Sequence, residues 1–205
     1  MLNTEERILH GAGELFYRAG IKSITMDDVA MHLGISKKTI YQYYADKNAI
    51  VNSLAEYELA IQIKEMDEMR KSSVNSIDEI FKTMNCLSRT FIKINANVFY
   101  DMQKFHPSSW KLFYDFKEKK VMSFVEENLK KGIKQELYRS DLNVKIMAKF
   151  RVEEVSMAFN PIIFPPEKYN IKDVQLILLD HFVHGITTLK GHKLINKYKQ
   201  IKKSD

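Results

Sequence analysis

Apolar side chains recur at a helical period almost from the first residue. Ile8, Leu9, Ala12, Leu15, Phe16 and Ala19 fall on one face of a helix over residues 4–19, and Gly20 supplies the left-handed conformation that ends such a helix. Thr25 followed three residues later by Asp28 predicts a capping-box start for a short helix that carries Val29, Ala30 and Leu33 and closes at Gly34. Ser36 then caps a second short helix expected to run through Tyr44. After Asp46 a longer pattern passes through Ile50, Leu54, Tyr57 and Ile61 to about Met69. The chain has 7 Gly and 4 Pro, with no Pro before Pro107, so the turn chemistry of a many-stranded protein is missing and an all-α fold is expected.

The helical pattern continues to the C-terminus. Ser76 and Glu79 open a helix carrying Ile80, Met84, Leu87, Phe91 and Ile94, and Pro107 introduces one over residues 109–131. Val144, Ala148, Val152, Val155 and Phe159 form a stripe that ends before Pro161. Residues 160–168, with three prolines, read as a loop, and Asn170 with Asp173 starts a helix reaching about His192. That last helix is apolar on nearly every side. Either one side is core and another a partner surface, or the whole helix is buried within one subunit. The first alternative predicts a homodimer built on residues 144–159 and 172–190, with Val152, Val155, Phe159, Leu178, Phe182, Gly185 and Ile186 at the interface. Gly185 would let a neighbouring helix approach closely.

Between the two short helices, Leu33, Gly34, Ile35 and Ser36 have the make-up of a helix-turn-helix. Ala30 is small where two helices cross, Gly34 takes positive φ, Ile35 and Ile40 enter a small core, and Ser36 accepts from the free amides of the second helix. At about 100° per residue, Ile40 and Tyr44 share the core side and Gln42 lies opposite. Lys38 and Thr39 fall near Gln42, with Tyr41 and Tyr43 on the two shoulders. Such a ridge suits a major groove, polar side chains reaching base edges and phenols reaching phosphates, although a merely solvated helix face has the same composition.

Charge adds less than its sum suggests. The net charge is +6 and the pI about 9.1. Residues 1–50 nevertheless hold six Lys or Arg against six Asp or Glu, and residues 190–205 hold six Lys against Asp205. Most of the surplus is in the tail, whose Leu194, Ile195, Tyr198 and Ile201 continue a helical pattern. A 45% hydrophobic and 28% charged composition excludes intrinsic disorder. The lone Cys86 cannot form an internal disulfide, and the first residues show no leader pattern; with no apolar run of membrane length, a cytoplasmic protein without a membrane partner is expected. Gly11 and Gly13 lack the third glycine and preceding strand of a phosphate loop, and no nucleophile-elbow, zincin or P-loop sequence occurs. His181 and His184 have a metal-ligand spacing of low specificity. No enzyme, no cofactor and no metal are expected.

The stretch from Ile24 to Leu54, with Thr25, Val29, Ala30, Gly34, Ser36, Thr39, Tyr41, Tyr44 and Lys47, resembles the N-terminal DNA-binding domain of the TetR family of bacterial transcriptional regulators. Leu15, Phe16 and Gly20 extend the match. The resemblance implies a cytoplasmic, homodimeric, all-helical regulator with a helix-turn-helix domain over residues 1–47 and an effector-binding and dimerisation domain over 48–205. It implies a palindromic double-stranded DNA operator whose binding is weakened by a small hydrophobic or amphipathic effector, as expected of a repressor. By motif, Thr25, Tyr41, Tyr43 and Lys47 take backbone-contact positions, and Lys37, Lys38, Thr39 and Gln42 take or flank base-reading ones, Ser36 being counted with them. Lys38 departs from the small residue common there in the family. The aromatic and Met residues of the middle, Phe81, Met84, Phe91, Phe99, Met102, Phe105, Trp110, Tyr114 and Met122, are core or the lining of an apolar pocket, and the resemblance favours the pocket. The competing reading is a ligand-binding or interaction protein whose helix-turn-helix is only structural, which the neutral charge of residues 1–50 favours.

Overall fold

The structure, a computed structural model, describes residues 2–91, 94–95, 97–165 and 167–201, with the side chains of 87–91, 200 and 201 outside the description. Among the described residues the α-helices are α1 (Thr4–Ala19), α2 (Met26–Leu33), α3 (Lys37–Tyr41), α4 (Lys47–Ser72), α5 (Ser76–Phe91), α6 (Asn97–Phe105), α7 (Pro107–Phe116), α8 (Met122–Lys134), α9 (Val144–Met157), α10 (Ile171–Ile186) and α11 (Leu189–Ile201), with a π-helical turn, Lys117–Val121, between α7 and α8. Among the described residues the fold is all-α, and no helix is long and apolar enough to cross a membrane. The chain forms two compact units, Met1–Gln62 with Ile92–Phe116, and Ile63–Phe91 with Lys117–Asp205.

The first unit starts from well-capped helices. Asn3 and Glu6 close the N-terminus of α1 reciprocally, each side chain accepting the other's backbone N–H at 2.9 Å. The apolar face of α1 then buries Ile8, Ala12 and Phe16 against Val29 of α2, Ile40 of α3 and Ile50 of α4. Gly11 lies close to α2, since a Cβ there would lie 2.6 Å from Cδ2 of Leu33 and that side chain would have to shift. Val98 and Met102 of α6 complete the same core. Asn95 and α6 are tied down by polar contacts: the backbone N–H of Asn95 donates to Tyr17 O at 2.7 Å, and the backbone N–H of Lys22 donates to the buried carboxylate of Asp101 at 2.8 Å.

The second unit is organised around Leu129, Tyr138, Ala148, Leu179, Phe182 and Ile186. Here the expectation of one helix to about His192 is corrected. α10 stops at Ile186, Thr187 is extended, and α11 starts at Leu189. Thr187 forms an isolated antiparallel bridge with Tyr138, and the Thr188 hydroxyl donates to Glu136 O at 2.8 Å, so the break is stabilised by hydrogen bonds across the fold that no local pattern announces. Gly132 sits inside α8 because the Tyr138 ring lies where a Cβ would be.

Candidate nucleic-acid interface

The helix-turn-helix is held by its own capping residues. Thr25 Oγ1 accepts from Asp28 N at 3.2 Å while Asp28 Oδ2 accepts from Thr25 N at 2.8 Å; the Thr25 hydroxyl also donates to Asp28 Oδ2 at 2.6 Å, and that bond first, then the one from the Thr25 backbone, lowers the Asp28 pKa. Gly34 ends α2 at φ 65°, where its lack of a Cβ avoids left-handed strain. Ser36 caps α3 by accepting Thr39 N at 3.0 Å. The expected helix through Tyr44 is shorter: α3 ends at Tyr41, and Gln42 N and Tyr43 N bond three residues back, to Thr39 O and Ile40 O. The physical reason is that Asp46 Oδ1 already caps α4 through Ala49 N at 2.8 Å, so the chain must turn out of α3 first.

Ile40 and Tyr44 are buried, and Lys37, Lys38, Tyr41, Gln42 and Tyr43 are exposed, the two tyrosines at 47% and 44%. Thr39 is half-buried, its Oγ1 2.8 Å from Ser36 Oγ. The polar ridge and its flanking tyrosines therefore share an open surface. Two cations are more constrained. Lys37 Nζ pairs with Asp27 Oδ2 at 2.9 Å, which raises its pKa. Lys47 Nζ donates to Ile21 O at 3.0 Å and Ile24 O at 2.9 Å, and burial lowers its pKa against the attraction of Asp101. An ammonium has three donors, so Lys47 keeps one for an outside acceptor.

His106 Nδ1 donates to Asn48 Oδ1 at 2.6 Å. Burial is the first cause lowering the His106 pKa, followed by the Lys47 charge. This bond, and the Asp101 bond to the Lys22 amide, fix α6 beside the starts of α2 and α4. Sequence reasoning missed them, because residues 95 to 106 carry no motif and the partners are 58 and 79 positions away.

The aromatic and Met residues expected at a pocket divide between the units. Phe99, Met102, Phe105, Trp110 and Tyr114 belong to the first, where Phe113 packs 5.3 Å from Phe99 and 5.4 Å from Trp110, ring centre to ring centre. Phe105 and Tyr114 are exposed. Phe81, Met84 and Met122 belong to the second, with Met84 buried and Phe81 stacked on Tyr198. The side chain of Phe91 lies outside the described residues. Of the residues expected at a dimer interface, Val152, Phe182 and Ile186 are buried in the chain's own second unit, Val155, Phe159 and Leu178 are half-buried, and Gly185 is exposed with nothing within 4 Å of an added Cβ. Large exposed apolar residues on α9 and α10 are Ile146, Phe150, Leu176 and Ile177. His184 lies against His192 and Asp180, while among the described residues no three His, Cys, Asp or Glu are grouped to hold a metal.

Residues 8–54 match the family described as bacterial regulatory proteins, tetR family. Over 184 residues the chain is 24% identical to YvaF, an uncharacterized HTH-type transcriptional regulator of Bacillus subtilis, covering 89% of this chain and 95% of that one. Among solved structures, a protein of Saccharomonospora viridis, described as a transcriptional regulator and bound to choline, superposes with a TM-score of 0.75 at 16% identity, covering 90% of this chain and 97% of the other. FadR of Thermus thermophilus, a TetR-family repressor bound to lauroyl-CoA, superposes with a TM-score of 0.57 at 18% identity over 90% and 95% of the two chains. At these identities the structural likeness speaks for the fold.

Proposed function

We propose, from the premise that this chain belongs to the tetR family of bacterial regulatory proteins and is a transcriptional regulator, that it binds a palindromic duplex operator as a homodimer and represses until a small hydrophobic or amphipathic effector releases it. The observation that carries the DNA reading is the capped α2–turn–α3 unit, with Lys38, Gln42 and both shoulder tyrosines exposed opposite the buried Ile40 and Tyr44. Gln42 can donate and accept at once, which fits adenine N6 and N7, and Lys38 can donate to guanine O6 or N7. Lys37 and Thr39 take or flank base-reading positions beside them, Thr25, Tyr41, Tyr43 and Lys47 take backbone-contact positions, and Ser36 caps α3 between the two sets. The domain division at residues 47 and 48 is part of this reading, with effector and dimer functions assigned to the remainder.

Dimerisation is supported by the exposed Leu176, Ile177 and Gly185 of α10 with Ile146 and Phe150 of α9, which give two helices per subunit an apolar outer face. The effector class is supported by a neighbour that holds lauroyl-CoA, an amphipathic molecule. Coupling then needs an effector with unequal affinity for two conformers, acting through α4. A second reading, in which the helix-turn-helix is structural, is favoured by Lys37 and Lys47 being engaged within the chain.

Titration of the wild type, Gln42→Ala and Tyr41→Phe on upstream and scrambled duplexes separates the readings. The regulator reading expects Gln42→Ala to cost about 1–3 kcal/mol on the operator and little on scrambled DNA, and Tyr41→Phe to weaken both alike. A wild type that binds neither duplex supports the second reading.

A further inference from the structure

The neutral charge of residues 1–50 poses a question for any DNA reading, since phosphate neutralisation supplies most non-specific affinity. Lys37 is paired and Lys47 is largely committed to two carbonyls. The first unit nevertheless brings a cation from far along the chain to its DNA-binding elements. Lys22 Nζ lies 5.4 Å from the centre of the Phe105 ring and Lys104 Nζ 5.5 Å from the same centre. Lys104 also donates to Tyr100 Oη at 3.2 Å. Both lysines and both rings are exposed.

Their place in the unit is fixed. Lys22 lies between Ile21 and Ile24, whose carbonyls hold the Lys47 ammonium, and three residues before Thr25, the cap of α2. Lys104 lies two residues before His106, which is bonded to Asn48 in the first turn of α4. Lys22, Lys47 and Lys104 thus border the starts of α2 and α4. Asp101 is buried and accepts the Lys22 backbone N–H, so its charge faces inward while the ammonium groups face solvent; of the other acids at these helix starts, Asp28 and Asp46 accept backbone N–H groups as caps of α2 and α4. An aromatic face holds a cation without neutralising it, unlike a carboxylate.

We propose that Lys22 and Lys104, seated on Phe105 and Tyr100, are phosphate-backbone contacts that extend the helix-turn-helix interface onto α6. This rests on the DNA-binding reading. The chemistry that recognises the partner is a row of phosphates alone, so the two lysines add affinity and no base preference.

The test titrates the full chain on a random-sequence duplex long enough for two half-sites, at several salt concentrations, as wild type, Lys22→Ala, Lys104→Ala and the double variant. Because a homodimer loses both copies, each single change should lower affinity roughly ten- to sixtyfold at ~0.1 M salt and reduce the slope of log K against log salt by about 1.8, the double variant by about twice that. Lys104→Arg should keep the slope, and melting temperatures should stay at the wild-type value, because both side chains are exposed. A double variant with the wild-type slope overturns the proposal while leaving DNA binding by the helix-turn-helix intact. A wild type that binds no duplex overturns the DNA reading itself, and this inference with it.

Discussion

The two units of this chain are held together by different kinds of interaction. In the first, the starts of α1, α2 and α3 are closed by residues three positions away, Asn3 with Glu6, Thr25 with Asp28 and Ser36 with Thr39, and two long-range bonds, from Lys22 N–H to Asp101 and from His106 to Asn48, bring in α6. In the second, buried polar groups are joined within the core, most of them across the sequence and the Arg151–Glu154 pair within one helical turn. Tyr138 Oη donates to Asn128 Oδ1 at 3.0 Å, Asn128 Nδ2 donates to Ser76 O at 3.0 Å, and Gln175 Nε2 donates to Val155 O at 2.8 Å. Arg151 donates to Glu154 at 2.8 Å and to the Met84 sulfur at 3.3 Å, with the guanidinium 5.5 Å from the Phe182 ring centre. A local cap can be lost without disturbing the core behind it. A buried network transmits the loss of any member, because the group left behind has no water to turn to.

The largest expected effect therefore lies in the second unit. Arg151 and Glu154 are both buried, and burial lowers the arginine's pKa against the pull of its partner. Arg151→Met leaves the Glu154 carboxylate without a cation in an apolar setting and should destabilise by about 3–5 kcal/mol. Arg151→Met with Glu154→Leu removes both charges and should recover most of that loss. Urea unfolding followed by circular dichroism measures both, and a single variant no less stable than the double would show that the pair is not desolvated as a unit.

In the first unit the corresponding change is smaller. Thr25→Ala removes one acceptor at the start of α2 and should cost about 1 kcal/mol. Trp110 is the single tryptophan and packs on the first unit's core, so its fluorescence reports this unit's unfolding. Thr25→Ser should retain the wild-type midpoint. A loss as large as that of Arg151→Met would mean that the first unit, too, depends on a network rather than on separable caps.

The same division explains what could be read from sequence. The starts of α1 and α2, the turn at Gly34 and the burial of Ile40 and Tyr44 follow from side chains within one turn of each other, so periodicity and capping chemistry locate them. The end of α3 does not, because Asp46 and the start of α4 decide it. Nor does the break at Thr187, which depends on Tyr138, or the glycine at 132, whose reason is a ring six residues on. The exposed Gln42 and shoulder tyrosines were legible as a ridge, whereas Asp101, His106 and Lys104 were invisible as neighbours of the first four helices, since nothing local marks residues 95–106 as part of that unit. The face of α10 was partly legible: apolar residues all round implied two contacts, but only the fold shows that Phe182 and Ile186 point inward and Ile177 and Gly185 outward.

A weaker effect should follow pH. Burial first, and the Lys47 charge after it, hold the His106 pKa below the ordinary 6.5, while its Nδ1 donates to Asn48 Oδ1. The folded form therefore binds fewer protons than the unfolded form near that pH. Its contribution to stability is complete above about pH 6.5 and is lost as pH falls toward the folded-state pKa. The Trp110-reported midpoint should drop between about pH 7.5 and about pH 5, and His106→Gln should flatten the drop. A flat wild-type profile would separate α6 from the start of α4.

The smallest effect on stability, and the one that best distinguishes the two readings of the first unit, belongs to Asp27. Its carboxylate pairs with Lys37 at 2.9 Å, with the two side chains 72% and 44% exposed. An exposed pair of this kind contributes little to folding because solvent screens it, so Asp27→Asn should barely move the Trp110-reported midpoint. Its effect on DNA should be larger than its effect on the fold. The carboxylate repels phosphate and occupies Lys37, and its removal subtracts one negative charge and frees one positive charge on the same surface. If α2 and α3 face a duplex, Asp27→Asn should tighten binding to operator and random DNA alike, and the salt dependence should steepen as Lys37 gains a phosphate partner. If instead Lys37 and Asp27 serve only to tie α3 to α2, the substitution should leave DNA affinity unchanged at every salt concentration. A fall in operator affinity alone would assign Asp27 a third role, holding Lys37 in the geometry that reads a base.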